Sequence, residues 1–313
     1  MHAIGQNPLV RGWTWEISQL ANGILEVERT VLPFDCGCIG SVTVDRAALH
    51  QVIAAAGWGL VLMPALDSDA VFVDGRRMVA GDAVRLPPSG ELELLTHGVS
   101  RIHLIAFRNP GAGSKLRLRG PRWYARTDRS SSLPEDVSAW LATAGTDAGD
   151  VHRAAALQSR LLGWLQSASE ETLPSGFCGH ALPRRRMAVE RVRRFIHEHL
   201  TESMTLADLC HHAHLQARSL EYGFRDLVGL SPFKYIKMLR LGEVRRRLQA
   251  SNSAEHSVSQ VALDCGFSHL SQFAADYKRA FLESPSATVR AIDCRQAARV
   301  TRYDTGPAAA VAR

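Results

Sequence analysis

The C-terminal third of the chain contains an imperfect internal duplication, and this feature constrains the fold more than any other. Sliding the sequence along itself aligns Thr205–Cys210 with Ser257–Ala262 at an offset of 52 residues. One residue is inserted in the turn that follows, and the alignment continues at an offset of 53 residues. The pairs aligned after the insertion are Leu220/Phe273, Phe224/Tyr277, Arg225/Lys278, Ser231/Ser284 and Pro232/Pro285. A repeat of this length predicts two copies of one supersecondary unit.

Each copy has the pattern of a helix, a tight turn and a second helix. Thr205 and Ser257 stand where a side-chain oxygen caps the first helix of each copy. Ala213 and Cys265 occupy the turns, where small side chains let two helices cross closely. A helix with a polar outer face follows in both copies. The pattern predicts two helix-turn-helix units, a motif whose second helix enters the major groove of DNA.

The segment between the two copies predicts a long helix over Pro232–Ala250. Its apolar residues at helical spacing are Phe233, Ile236, Leu239, Leu241, Val244 and Leu248. Such a helix would hold the two units rigidly. Units on one face would then meet successive major-groove segments about 34 Å apart.

The positive charge of the chain is concentrated in the same region. Of 37 basic and 31 acidic residues, 18 and 12 lie between Arg184 and Arg295, so this region carries the whole net charge of +6. One basic domain in an otherwise neutral chain favours a polyanionic partner such as double-stranded DNA.

The first hundred residues have the pattern of short strands separated by turns. The candidate strands are Leu60–Met63, Val71–Val73, Val84–Leu86, Leu92–Leu95 and Ile102–Phe107. Asp74-Gly75 predicts a hairpin turn. Closely spaced short strands indicate a small barrel or sandwich. Its aromatic residues Trp13, Trp15 and Trp58 are candidates for lining an apolar effector pocket.

Together these patterns predict an α+β protein with an N-terminal barrel-like (cupin-like) sensor and an all-helical C-terminal domain. An apolar stripe at Val151–Leu165 predicts a helical connector. The predicted segments are a β-rich effector-sensing domain at 1–130, a helical connector or dimerisation element at 131–172, a linker at 173–186, a DNA-binding domain at 187–295 and a flexible tail at 296–313.

Several short motifs carry a resemblance to a known family. They are Phe224-Arg225, Gly229-Leu230-Ser231-Pro232, Cys265-Gly266-Phe267-Ser268, Ser271-Gln272-Phe273, Tyr277-Lys278-Arg279-Ala280-Phe281 and Ser284-Pro285. Over about 100 residues the chain resembles the AraC/XylS family of bacterial transcription regulators. The resemblance implies two helix-turn-helix units joined by a helix, an N-terminal effector-sensing barrel and a helical dimerisation element. The expected partners are promoter DNA, RNA polymerase, an unidentified small-molecule effector and a second copy of the chain.

A narrower resemblance and two departures qualify this assignment. Val244–Leu248 and His269–Tyr277 are similar to the branch that contains the ethanolamine-operon regulator. Leu282 stands where the family has glycine before the second Ser-Pro pair, which is costly if the backbone there needs a positive φ. Ala275 stands where many members place a large polar residue, although alanine can contact a thymine methyl group.

The polar faces of the two recognition helices supply the predicted DNA contacts. For the bases these are Gln216, Arg218, Ser219 and Tyr222 in the first unit, and Ser268, His269, Ser271 and Gln272 in the second. For the phosphates they are Arg225, Lys234, Lys278 and Arg279, which need only charge and reach.

Two other functions stay open at this stage: a metal-dependent small-barrel enzyme fused to a DNA-binding module, and a sequence-blind architectural DNA binder. The enzyme would need clustered ligands, and residues 1–130 hold only four scattered histidines, so neither catalysis nor a metal or other cofactor is predicted. We interpret His211 and His214 as surface residues and the six cysteines as reduced thiols, with Cys36 and Cys38 as an alternative redox pair. No apolar run of membrane-spanning length and no secretory signal is recognised, so a cytoplasmic location is expected.

Overall fold

The structure is a computed structural model. It describes residues 5–6, 13–34, 37–73, 76–78, 82–86, 88–108, 123–126, 137–139, 141, 182–250 and 257–291.

The described residues of the N-terminal domain form two antiparallel six-stranded sheets. The strands are β1 (Gly5–Gln6), β2 (Thr14–Gln19), β3 (Val27–Phe34), β4 (Gly37–Val44), β5 (Ala48–Ile53), β6 (Trp58–Pro64), β7 (Val71–Val73), β8 (Arg76–Met78), β9 (Asp82–Leu86), β10 (Glu91–Thr96), β11 (Ser100–Arg108) and β12 (Trp123–Arg126). The strand orders are β1-β2-β5-β10-β7-β8 in the first sheet and β12-β9-β6-β11-β4-β3 in the second. All five strand segments predicted from the sequence lie within observed strands. The hairpin predicted at Asp74-Gly75 is confirmed by its flanks, where Val73 pairs with Arg76.

The two sheets share one apolar core. Trp15 and Val52 from the first sheet pack in it with Leu62 and Leu104 from the second. Strand β11 is buried on both of its faces, since the helical residues 137–139 lie over the outer one. There the hydroxyl of Ser138 lies 2.8 Å from Nε2 of His103.

The C-terminal domain is helical. Its helices are α1 (Leu182–Glu198), α2 (Leu206–Ala213), α3 (Ala217–Val228), α4 (Pro232–Ala250), α5 (Val258–Asp264) and α6 (Leu270–Phe281), and residues 285–291 are also helical. These two domains confirm the α+β class. Helix α1 begins inside the range predicted as a linker, residues 173–186. The connector stripe at Val151–Leu165 and the tail at 296–313 lie outside the described residues.

The duplicated sequence forms two units with equivalent capping. Thr205 accepts a hydrogen bond from the Asp208 N–H and completes a capping box, and Ser257 accepts one from the Gln260 N–H, as predicted. Each such cap contributes about 1 kcal/mol to helix stability. At the other end, the second helices of both units end in left-handed residues, Gly229 with φ 75° and Leu282 with φ 57°.

The long helix between the units has the predicted bounds, but one predicted core residue is misplaced. Phe233 is 47% exposed, whereas Tyr235 is 0% and Met238 is 2% exposed. Helix α4 is buried on several sides, because both units pack against it. The spacing alone therefore could not tell which apolar positions face inward.

The two domains pack against each other through a continuous apolar cluster. Leu20, Leu49, Phe72 and Leu95 of the β domain belong to the same core as the buried residues of the helical domain. Among the described helices, none is long and apolar enough to cross a membrane.

A buried ion-pair network reinforces this interface. Arg193 of α1, 3% exposed, pairs with Glu93 of β10 and, at 2.9 Å, with Glu190 of its own helix. Nε2 of His197 lies 3.0 Å from the hydroxyl of Tyr235 and 3.5 Å from Oε2 of Glu93. Burial lowers the pKa of His197 to about 4, so its imidazole is neutral near physiological pH.

Candidate nucleic-acid interface

Helix α3 presents a polar face at its N-terminal end. Gln216 is the N-cap residue, and its side chain forms no capping hydrogen bond, which leaves the amide available to a ligand. Leu220 and Phe224 are both 0% exposed and anchor the opposite face of the helix. Of the predicted base contacts, Gln216, Arg218 and Tyr222 are exposed and Ser219 is half-buried.

Two of these side chains organise each other. The guanidinium of Arg218 lies over the ring of Tyr222, 5.7 Å from its centroid, one helical turn away. Tyr222 is 55% exposed, so its ring is accessible to a ligand. Arg218 is exposed, and the forked donor of a guanidinium matches O6 and N7 of guanine.

Helix α6 presents the equivalent face in the second unit. His269 is its N-cap residue and also forms no side-chain capping bond. Ser268, His269, Ser271 and Gln272 are all exposed, while Phe273 and Tyr277 anchor the helix in the core. Ala275 is exposed on the same helix, where its methyl group is accessible.

The four residues predicted to contact phosphates are exposed as well. Arg225 and Lys278 occupy equivalent positions near the ends of α3 and α6, and Lys234 lies in the first turn of α4. Arg279 forms an ion pair of 3.0 Å with Asp276, but its side chain remains 61% exposed. The guanidinium of Arg279 is therefore accessible to a phosphate on its solvent side.

Lys237 connects α4 to the second recognition helix and was not predicted from the sequence. Its ammonium lies 3.2 Å from Oδ2 of Asp276, a carboxylate that is only 6% exposed. Lys237 lines a cleft of about 480 Å³ with Phe233, Lys234, Arg279 and Asn22 of the β domain. The sequence signal that could have identified Lys237 is its positive charge between the apolar positions Ile236 and Leu239 of α4.

Arg240 was likewise missed as a positioning residue. Its guanidinium donates hydrogen bonds to the main-chain oxygens of Leu200, Glu202 and Gly266. Arg240 therefore ties α4 both to the segment before the first unit and to the turn of the second unit. Nothing in the spacing of the sequence indicates these contacts.

The predicted pocket residues belong to the β domain core. Trp13 and Trp15 are each 3% exposed, and Nε1 of Trp15 donates to Nδ1 of His50 over 3.3 Å. Trp58 packs against that core, with Arg108 5.7 Å from its ring centroid. An effector contact by these residues stays a prediction.

The histidines and cysteines of the described residues form no group of three or more His, Cys, Asp or Glu side chains able to hold a metal ion. His212 stacks on Phe195 with ring centroids 3.7 Å apart. Burial raises the pKa of the Cys38 and Cys265 thiols to about 11, so both are protonated near neutral pH. Cys36 lies outside the described residues.

Comparison with known proteins places this surface in a family. A family described as "Helix-turn-helix domain" matches residues 209–291. The chain is 35% identical over 131 residues to "XylDLEGF operon transcriptional activator 2" of Pseudomonas putida, a match that covers 40% of this chain and 83% of that protein. The chain belongs to the AraC/XylS family of DNA-binding transcription regulators. The helix-turn-helix units described above are the DNA-binding part of that family.

The similarity is confined to part of the longer relatives. A longer "XylDLEGF operon transcriptional activator" of Pseudomonas putida is 34% identical over 134 residues, which covers 43% of this chain and 42% of the relative. A solved structure of a probable AraC family transcriptional regulator from Rhodopseudomonas palustris CGA009 has 30% identity and a TM-score of 0.32, and covers 34% of this chain and 97% of that one. The chain thus spans about two fifths of the length of the longer relative.

Proposed function

We propose that the protein is an effector-responsive transcription activator that binds promoter DNA with α3 and α6 in two successive major-groove segments. One observation carries this proposal. Equivalent positions of two duplicated units present exposed polar side chains at the N-terminal ends of two helices whose opposite faces are anchored in one core. Two such helices on a shared scaffold suit a DNA site of two parts about one helical turn apart.

The chemistry of the exposed residues supports base-specific reading. Arg218 can donate two hydrogen bonds to one guanine, and Gln216 and Gln272 can each pair with an adenine edge. The four basic residues Arg225, Lys234, Lys278 and Arg279 flank these readers and supply sequence-independent affinity for phosphates. A DNA-binding protein without sequence preference needs contacts to phosphates and does not need such varied polar side chains.

The β domain is proposed as the effector sensor. It has a closed apolar core and packs directly on the helical domain, so a ligand that favours one arrangement of the two domains would shift DNA affinity. A small molecule could bind among Trp13, Trp15 and Trp58 as predicted. The name "transcriptional activator" borne by the Pseudomonas putida relatives supports activation rather than repression.

RNA polymerase, a second copy of the chain and a cytoplasmic location are parts of the same proposal. Activation requires contact with the transcription machinery, and the apolar stripe at Val151–Leu165 suits pairing of two connectors. The narrower likeness to the ethanolamine-operon branch rests on Val244–Leu248 and His269–Tyr277. We propose it for the DNA-binding domain alone, without an effector.

Selection from a randomised pool of double-stranded DNA tests this function. The full chain is expected to enrich one motif and to bind it at least about 1,000-fold more tightly than random DNA in fluorescence anisotropy titrations. Affinity for both DNAs should fall steeply with salt concentration, because phosphate contacts release counterions. Equal affinity for selected and random DNA would instead establish a sequence-blind architectural binder.

A further inference from the structure

The β domain is hydrogen-bonded to the end of the second recognition helix. The main-chain oxygen of Ala280, in the last turn of α6, accepts from Nε2 of Gln19 at 2.8 Å and from the N–H of Gly23 at 3.0 Å. Gln19 is 6% exposed, and its amide also bonds to the main-chain oxygens of Ala21 and Gly23. The last carbonyls of a helix lack partners within the helix, so donors from outside stabilise them.

The β domain also reaches the end of the first recognition helix. His97 follows β10, and its imidazole lies against the end of α3, close to the main chain of Leu227. The ring lies so close to the C-cap of α3 that a Cβ atom on Gly229 would be 3.5 Å from it. Stacking on Phe72, with ring centroids 4.6 Å apart, fixes the orientation of the imidazole.

These two contacts fall on the same position of the duplicated unit. Leu227 and Ala280 are separated by 53 residues, the offset that relates α3 to α6 in the sequence alignment. The C-cap residues Gly229 and Leu282 are separated by the same offset. The β domain therefore contacts equivalent main-chain groups on both recognition helices.

Gln19 and His97 are held at a fixed separation on the β domain. Gln19 pairs with Ala48, and Ala48 pairs with Thr96, so the ends of β2, β5 and β10 are in register at one end of a sheet. Two strand spacings, about 10 Å, separate Gln19 from Thr96, the neighbour of His97. The hydroxyl of Thr96 bonds to both the N–H and the carbonyl of Ala48, which secures this register.

The contacts leave the DNA-reading ends of the helices uncovered. Gln216, Arg218, Ser271 and Gln272 lie at the N-terminal ends of α3 and α6 and are exposed while the β domain is docked. Docking at the C-terminal ends is thus compatible with DNA binding. A role in blocking the DNA surface does not fit this arrangement, whereas a role in positioning the helices does.

We propose that Gln19, Gly23 and His97 form a bracket that sets the relative orientation of the two recognition helices, and thereby the spacing between the two halves of the DNA site. Gln19 and His97 are positioning residues in this account, because they act through α6 and α3 rather than on DNA. The proposal rests on the proposed function as a two-part DNA reader. It adds that spacing is specified by the β domain together with α4.

The test is the spacing preference of the full chain. Duplexes carry the selected site with base pairs inserted or removed between its halves. One base pair rotates the second half by about 34°, so the wild type should lose about tenfold or more in affinity per step away from its optimum. The variant Gln19→Glu places a carboxylate against the Ala280 carbonyl, and His97→Phe keeps the stacking on Phe72 but removes the polar ring atoms that lie against the end of α3. Thr30→Glu, on the edge strand β3 of the second sheet, introduces the same charge as the matched control.

The possible outcomes distinguish three cases: a bracket that sets the spacing, a merely structural role of Gln19 and His97, and failure of the proposed function itself. The double variant Gln19→Glu/His97→Phe should discriminate by less than about threefold between adjacent spacings, while Thr30→Glu keeps the wild-type profile. An unchanged profile, or an equal loss of affinity at every spacing, overturns the bracket while leaving the proposed function intact. A wild type without any sequence preference overturns both proposals.

Discussion

Nη1 of Arg240 donates a hydrogen bond to the main-chain oxygen of Gly266 over 3.0 Å, and so connects the long helix to the turn of the second helix-turn-helix unit. The same guanidinium bonds to main-chain oxygens of Leu200 and Glu202, ahead of the first unit. One side chain therefore links three segments that are distant in sequence.

Arg240→Met should destabilise the helical domain by about 2–4 kcal/mol, because three carbonyl groups lose a charged donor at once. Urea denaturation followed by circular dichroism measures the change. Arg194→Met, an exposed position on α1, serves as the control and should change stability by no more than about 0.5 kcal/mol. Equal stability of the two variants would show that the hydrogen bonds of Arg240 make no net contribution.

The left-handed residues at the ends of the recognition helices give a pair of opposite predictions. Leu282 has φ 57° and is 64% exposed, so Leu282→Gly relieves strain at little loss of packing and should raise the free energy of unfolding by about 0.5–1 kcal/mol. Gly229 has φ 75°, so Gly229→Ala should lower it by about 1 kcal/mol. Thermal unfolding of both variants provides the measurement. Destabilisation by Leu282→Gly would contradict the account of strain.

Much of the helical domain follows from the sequence because its determinants are local. The caps at Thr205 and Ser257, the bounds Pro232–Ala250 and the departure at Leu282 all depend on residues within one or two turns. The five strand segments were recognisable for the same reason, since apolar runs between turn residues are short-range patterns.

The arrangement of the two domains could not be read in this way. Gln19 and Ala280 are 261 residues apart. Every residue has a main-chain carbonyl, so the residue type at position 280 does not indicate that its carbonyl accepts a hydrogen bond from Gln19. The burial of Arg193 could not be predicted from the sequence either. An arginine within a basic region is expected at the surface, and only the structure shows that it pairs with Glu93. The misplaced Phe233 shows the limit for α4, where a helix buried on several sides has no unique apolar stripe.

Substitution of a base reader and of a phosphate contact should have different consequences. Arg218→Ala should cost about 1–3 kcal/mol on the selected site and flatten the preference at one or two base pairs. Lys278→Ala should weaken binding to all sequences alike and reduce the slope of log affinity against log salt by about one. Anisotropy titrations on selected and random DNA distinguish them, with Arg108→Ala in the β domain as the charge control. An equal loss on both DNAs for Arg218→Ala would exclude it as a base reader.

The buried histidine of the β domain predicts a loss of stability in acid. Burial lowers the pKa of His50 to about 3, so its ring stays neutral in the folded state, whereas in the unfolded chain it takes up a proton near its ordinary value of 6.5. Its stabilising effect is therefore full above pH 6.5 and is lost as the pH falls toward about 3. His50→Gln should lower the unfolding temperature at neutral pH. In this variant the unfolding temperature should also decrease less between neutral pH and pH 4.5 than it does in the wild type. An unchanged drop would show that His50 does not contribute to acid sensitivity.

Methylation interference on the selected DNA site tests the central claim most directly. N7 of guanine lies in the major groove, so a methyl group there blocks a recognition helix that reads that segment. Two clusters of interfering guanines on one face of the duplex, with centres about 10 base pairs apart, are predicted for α3 and α6. A single cluster, or interference confined to the minor groove, would contradict the reading of two successive major-groove segments by this protein.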